Sequence, residues 1–166
     1  MKLELKNIKH TAWASEETHC YQASLYVDGK PVAIVSNDGH GGCDRDYRHP
    51  TFKKESEASG VQPYAFGYRA KMAEVHEYFA SLPKTNPCDI FPDGMEQSLE
   101  FWCADQVNDW LSARELKKKL KAGFLFQFAD KVGVFGHKTR PSRAHKATIL
   151  NDMPFADALV IWKETA

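Results

Sequence analysis

What is missing from this sequence narrows its class before any motif is considered. There is no net charge, with 22 Lys and Arg against 22 Asp and Glu, so any electrostatic preference must come from how charge is distributed. There is no long apolar run; the longest, such as Ala158-Leu159-Val160-Ile161-Trp162, fall far short of a membrane span. The opening MKLELKNIKH is charged and alternating, unlike a signal or transit peptide. The four cysteines, Cys20, Cys43, Cys88 and Cys103, are well separated and follow no paired spacing, which argues for thiols rather than disulfides. Repeats and low-complexity tracts are absent. A cytoplasmic protein with no membrane attachment is the expectation.

What is present reads as globular. The 166 residues are 43% apolar and 27% charged, enough for one core-bearing α+β domain. An N-terminal antiparallel β-meander, a helical middle, and a C-terminal β-hairpin with a short helix are predicted over residues 1–166. Breaks near residue 60 or 85 are the alternatives. Leu3 and Leu5 alternate with polar residues and Ile8 falls on the other parity, which predicts a bulged strand. Asp28-Gly29 sits between β-rich runs and predicts a two-residue hairpin turn. Simple pairing there sets Val27 against Lys30, Leu25 against Val32 and Ala23 against Ile34. Leu25, Val32, Ala23 and Ile34 would then share the core face, with Tyr26 opposite Pro31 on the other. A three-stranded meander results. A flexible loop is expected over about 44–63, with Lys53 to Gly60 its most mobile part.

Tyr68, Met72, Val75, Phe79 and Leu82 form a helical stripe that Pro83 ends. Asp93-Gly94-Met95-Glu96 can form a capping box, opening a helix that buries Leu99, Trp102, Cys103, Gln106 and Trp110. Ser112-Ala113-Arg114-Glu115 is a second box and predicts a new helix or a kink. That segment carries Leu116 and Leu120 inward and ends at Gly123 by the left-handed route. Phe124, Phe126 and Phe128 mark one face of a strand that Asp130-Lys131 turns into Val132–Phe135. Asn151-Asp152-Met153-Pro154 predicts the start of a last helix, with Phe155, Leu159 and Trp162 inward.

Two segments carry candidate chemistry. The first is Asn37, Asp38, Gly39, His40, Gly41, Gly42 and Cys43. Successive glycines let amides converge on an anion or ligand, and His40 and Cys43 add a base and a thiol. The Walker ending is absent, as are paired metal-ligand spacings, so His40, Cys43 and His49 are only weak metal candidates. The plain alternative is a loop that turns the chain at a strand end. The second segment is basic: Arg114 to Lys146 holds ten Lys or Arg against Glu115 and Asp130, whereas Asn86 to Asp109 holds six acids and no base. Lys117, Lys118, Lys119, Lys121, Lys138, Arg140, Arg143 and Lys146 form the candidate interaction face. Whether the acidic and basic blocks neutralise each other is left open. Cations beside aromatics suit single-stranded nucleic acid, yet a core strand with a solvated basic rim would read the same. His137-Lys138-Thr139 matches one arm of a two-histidine phosphodiesterase, but no second arm exists.

Three stretches carry a resemblance. They are Ala14-Ser15-Glu16-Glu17-Thr18 leading to Cys20, then Leu25-Tyr26-Val27-Asp28-Gly29-Lys30, then Val35 to Gly42. Together they resemble small uncharacterised proteins of bacteriophages and mobile elements, a group without an established activity. The resemblance implies a non-enzymatic accessory binding protein acting on a host or defence component in the host cytoplasm. A small enzyme or metal-binding protein using the glycine-histidine loop is the alternative, and single-stranded nucleic-acid binding the second. A protein partner is expected; cofactor and oligomeric state are left open.

Overall fold

The Asp28-Gly29 dipeptide forms the turn expected of it. Both residues take left-handed conformations, at φ 50° and 82°, and Val27 pairs with Lys30 and Tyr26 with Pro31 across it. The computed structural model describes residues 1–52, 65–128, 132–140 and 147–165. The fold is α+β, and contacts divide the chain into two compact units, Met1–Val107 and Asn108–Ala166. The division falls within the helix Leu99–Ala122.

The first unit is built on an antiparallel sheet of order β1-β2-β3-β4: β1 Leu3–His10, β2 Tyr21–Val27, β3 Lys30–Asn37 and β4 Arg45–Arg48. The parity slip in β1 is a bulge between Lys6 and Lys9, with Asn7 at φ 56°. Simple alternation fails in β3. The register shifts between Leu25 and Tyr26, so Leu25 faces Ala33 and Ala23 faces Val35. Val32 is the extra residue, and both it and Ala33 are buried. Downstream of the bulge the parity is reversed. Ala33, Val35 and Asn37 therefore point inward with Tyr21, Ala23, Leu25 and Val27, and Ile34 does not join the core face. The meander also has a fourth strand. Residues 45–48, expected in a flexible loop, pair with β3 from Ala33↔Arg48 to Ser36↔Arg45. Residues 53–60 lie outside the described residues.

Helix α1, Ala65–Ala80, buries Met72, Val75 and Phe79 of the expected stripe. Helix α2, Leu99–Ala122, begins later than the capping box implies. Gly94 sits at φ 70° with its Cα against the Thr85 carbonyl, and Thr85 and Met95 exchange hydrogen bonds. Residues 93–95 are thereby held in a loop. Ser98 is the working cap: its Oγ accepts from the Phe101 amide at 3.2 Å. No break occurs at Ser112. The buried set Leu99, Cys103, Val107 recurs every fourth residue, but Leu116 comes nine residues after Val107, about half a turn out of phase. One unbroken helix changes its buried face, which in sequence mimics a new start. Among the described residues no helix is long and apolar enough to cross a membrane.

The second unit holds the rest of α2 and a sheet of order β6-β5-β7, formed by β5 Phe124–Phe128, β6 Phe135–His137 and β7 Ala147–Ile149. A 3-10 turn, Leu150–Asp152, leads to α3, Phe155–Thr165. The expected hairpin thus gains a third strand, and its second strand is 135–137 rather than 132–135. Asp130-Lys131 lies outside the described residues. Leu116, Leu125, Leu150, Ala158 and Trp162 make the core, with Leu159 packed against it. The buried side of β5 is Leu125, not the phenylalanine face. Phe126, Phe128 and Phe135 instead pack on one another at 5.3–6.3 Å between ring centroids. Phe155 is exposed rather than inward, with Lys117 Nζ 5.0 Å from its ring centroid. Gly123 does not take the left-handed conformation. A Cβ there would lie 2.6 Å from the His137 carbonyl oxygen, so close strand approach is what demands glycine. The orphan carbonyl at the end of α2 is satisfied by Asn151, whose Nδ2 donates to Leu120 and Gly123 oxygens at 3.2 and 3.0 Å.

Candidate functional site

The glycine-histidine loop is a clamp. Asn37 is buried at the end of β3, and every part of its carboxamide is engaged. Oδ1 accepts from Thr18 Oγ1 at 2.8 Å and the Gly39 amide at 2.9 Å; Nδ2 donates to Gly42 O at 2.8 Å and Asp44 Oδ1 at 3.0 Å. The carbonyl of Gly39 accepts from the amides of Glu16, Glu17 and Thr18. Three successive amides of the loop already have acceptors within the clamp. Gly39 donates to Asn37, His40 to Asp38 Oδ1 at 3.5 Å, and Gly41 to Thr18 Oγ1 at 3.3 Å. The surroundings are acidic as well. His40 Nδ1 lies 3.2 Å from Glu16 Oε2, Asp38 pairs with Arg45, and Glu17 packs against Gly41. Such a field repels an anion. His40, Cys43 and His49 are not gathered into a metal site. His49 accepts from the Thr51 amide, the Cys43 thiol is exposed, and no group of three or more His, Cys, Asp or Glu suited to a metal occurs among the described residues.

Beside this clamp lies a cluster that no local motif announces. Asp44 accepts from the Tyr21 hydroxyl through Oδ2 and from Asn37 through Oδ1, while its amide donates to Glu100 Oε1 at 3.3 Å. Asp46 accepts from the Tyr68 hydroxyl. A cleft of about 160 Å³ is lined by Asp44, Asp46, His76, Ser98 and Glu100 over Val35 and Leu99. Cys103 sits fully buried beneath it. Burial first, and then the charge of Asp44, pushes its thiol up to about 12, with the Tyr21 hydrogen bond acting the other way. Burial also drives the Tyr21 phenol well above its usual range, helped by Cys103 and Asp44. These residues lie up to 82 positions apart, so no spacing rule relates Tyr21 to Cys103.

A pH dependence follows. The Cys103 proton is held more tightly in the folded chain than in the unfolded one, where the thiol ionises near 9. Stability from this group is complete below pH 9 and declines as pH rises towards 12. Denaturant midpoints are therefore expected to fall as pH rises above about 9. One group contributes up to about 1.4 kcal/mol per pH unit. Cys103→Ala should make the alkaline slope shallower, and an identical slope in that variant would reject the assignment.

The basic candidates divide by what they touch. Lys117, Lys118, Lys119, Lys121, Lys138 and Arg140 are all exposed, and Arg143 and Lys146 lie outside the described residues. Lys119 pairs with Glu115 at 3.1 Å and sits 4.7 Å from the Trp162 ring centroid. Arg140 pairs with Asp152, and Arg114 covers Trp110 at 5.2 Å. Lys118 and Lys121 have no partner among the described residues. A cavity of about 450 Å³ runs along Trp110, Ala113, Arg114, Lys117, Lys118 and Lys121, one face of α2 with four cations and no carboxylate among the described lining residues. His137-Lys138-Thr139 is a local turn in which Thr139 bonds His137 Nδ1 through its amide and hydroxyl. No family model, curated protein or solved structure matches the chain.

Proposed function

We propose that this protein is a non-enzymatic accessory binding protein that holds an acidic protein surface against the cationic face of α2. The setting suggested by the resemblance of its N-terminal third, a phage or mobile element acting on a host or defence component in the host cytoplasm, is part of the same proposal. The supporting observation is the 450 Å³ cavity with Arg114, Lys117, Lys118 and Lys121 around Trp110 and no acid among its described lining residues. Four like charges on one helix face repel one another in the free protein, and an acidic partner relieves that repulsion.

The aromatic contacts favour protein over single-stranded nucleic acid. Base stacking needs an open ring face. Trp110 is covered by Arg114, Phe155 by Lys117 and buried Trp162 by Lys119, while the strand phenylalanines stack on themselves. What the face still offers is charge with an apolar floor. Fluorescence anisotropy with a glutamate-rich peptide and a single-stranded oligonucleotide of equal charge provides the test. The peptide is expected to bind, and Lys117→Glu with Lys118→Glu and Lys121→Glu should weaken it by about 100-fold or more at low salt. Equal peptide affinity in wild type and variant would reject the proposal. Tighter oligonucleotide binding, falling steeply with salt, would transfer the site to nucleic acid.

A further inference from the structure

The loop before α2 is ordered yet exposes its apolar tip. Thr85 and Met95 close it through two hydrogen bonds, the Thr85 amide to Met95 O at 2.9 Å and the Met95 amide to Thr85 Oγ1 at 2.8 Å. Inside, the Phe91 carbonyl accepts from both the Cys88 and Gly94 amides. The tip so fixed presents Ile90 at 80% exposure and Phe91 at 44%, flanked by Asp89 and Asp93 with no Lys or Arg from Asn86 to Asp109. A loop held in one shape loses little entropy on docking, and an isoleucine displayed this openly gains by leaving water.

The second unit carries a matching receptor. A cavity of about 270 Å³ at the end of α2 is lined by Ala122, Phe124, Leu125 and Gly136 together with Lys119 and Lys138. Its lining joins apolar groups to two cations, where the loop tip is apolar and its flanks acidic. We infer that the Ile90-Phe91 loop of one copy docks in this cavity on a second copy, giving a head-to-tail contact between two different surfaces. Because loop and cavity are distinct, an open assembly of any length retains one unfilled loop and one unfilled cavity at its ends, and growth continues unless the geometry closes a ring. The cationic face of α2 proposed for the acidic partner is left unoccupied.

Sedimentation velocity on the full chain tests this. Wild type is expected to exceed the mass of one chain and to rise with concentration. Ile90→Asp removes the plug and Ala122→Trp fills the receptor; both positions are exposed, so each variant should keep the wild-type melting curve and sediment as a monomer. Mixed together, the two variants have one intact loop and one intact cavity between them, and should form a one-to-one dimer and nothing larger. A wild type that stays monomeric up to about 1 mM, assembly of either variant alone to the wild-type extent, or a mixture that remains monomeric would each overturn the inference. Both variants keep Lys117, Lys118 and Lys121, so acidic-peptide binding should survive in them.

Discussion

Gly39→Ala should sharply lower the urea midpoint of the first unit. The residue is buried at φ 90°, a conformation that side chains resist, and an added Cβ would lie 1.9 Å from the Ala14 carbonyl oxygen and 3.0 Å from Cys20 Cβ. Neither neighbour can retreat cheaply, because Ala14 belongs to the 3-10 turn and Cys20 directly precedes β2. Moving Gly39 instead would strip its carbonyl from the three amides it binds. Strain, overlap and lost hydrogen bonds together should cost roughly 4 kcal/mol or more, against a total of about 5–15 kcal/mol for an ordinary domain. Gly42→Ala is the control. That glycine has no positive φ and nothing within 4 Å of the added carbon, so its urea midpoint should stay near wild type. Equal midpoints for the two variants would mean that the clamp is not what holds the loop.

Asn151→Ala should do comparable damage in the second unit. One carboxamide there joins three backbone groups: Leu125 donates its amide to Oδ1 at 2.8 Å, and Nδ2 donates to Leu120 and Gly123 oxygens. It thus ties the end of α2, the start of β5 and the 3-10 turn. Removing it leaves three partly buried groups without partners, at about 1 kcal/mol or more each, for a loss near 3 kcal/mol. Asn151→Asp keeps the acceptor but turns a charge towards two carbonyls, and should recover only a fraction of that. Hydrogen exchange gives a local readout. The Leu125 amide is expected to lose protection before the amides of β2 and β3 do. Unchanged protection at Leu125 in the alanine variant would dismiss Asn151 as the tie.

What could be read from the chain was what depends on neighbours in sequence. The Asp28-Gly29 turn, the parity slip before Ile8, the stripe of α1 and the outward lysines of α2 all rest on spacings of a few residues. What escaped depends on distant partners. The shift at Val32 is invisible without β1 and β4 to fix which face is buried. Ser98 beats Asp93 as a cap only because Thr85 already holds Gly94. Gly123 looks like a helix terminator until the His137 carbonyl is seen against it. The candidate site followed the same division. Exposure of Lys117, Lys118 and Lys121 was legible, since a helix with Leu116 and Leu120 inward leaves them nowhere else. The destination of the Gly39 and Gly41 amides was not, because their acceptors lie on Asn37 and on the Thr18 turn. The Asp44 cleft draws on β3, β4, α1 and α2, and no local pattern marks it.

The outer strands of the two sheets also bear on behaviour at high concentration. β4, β6 and β7 span four, three and three residues. β1 is longer, but Asn7 interrupts its hydrogen-bonding ladder and Glu4, Lys6 and Lys9 charge its length. A stray extended segment arriving at any of these margins finds only a few amides in register before the ladder stops. Fibrillar growth templated on these strand edges should therefore be slow to start.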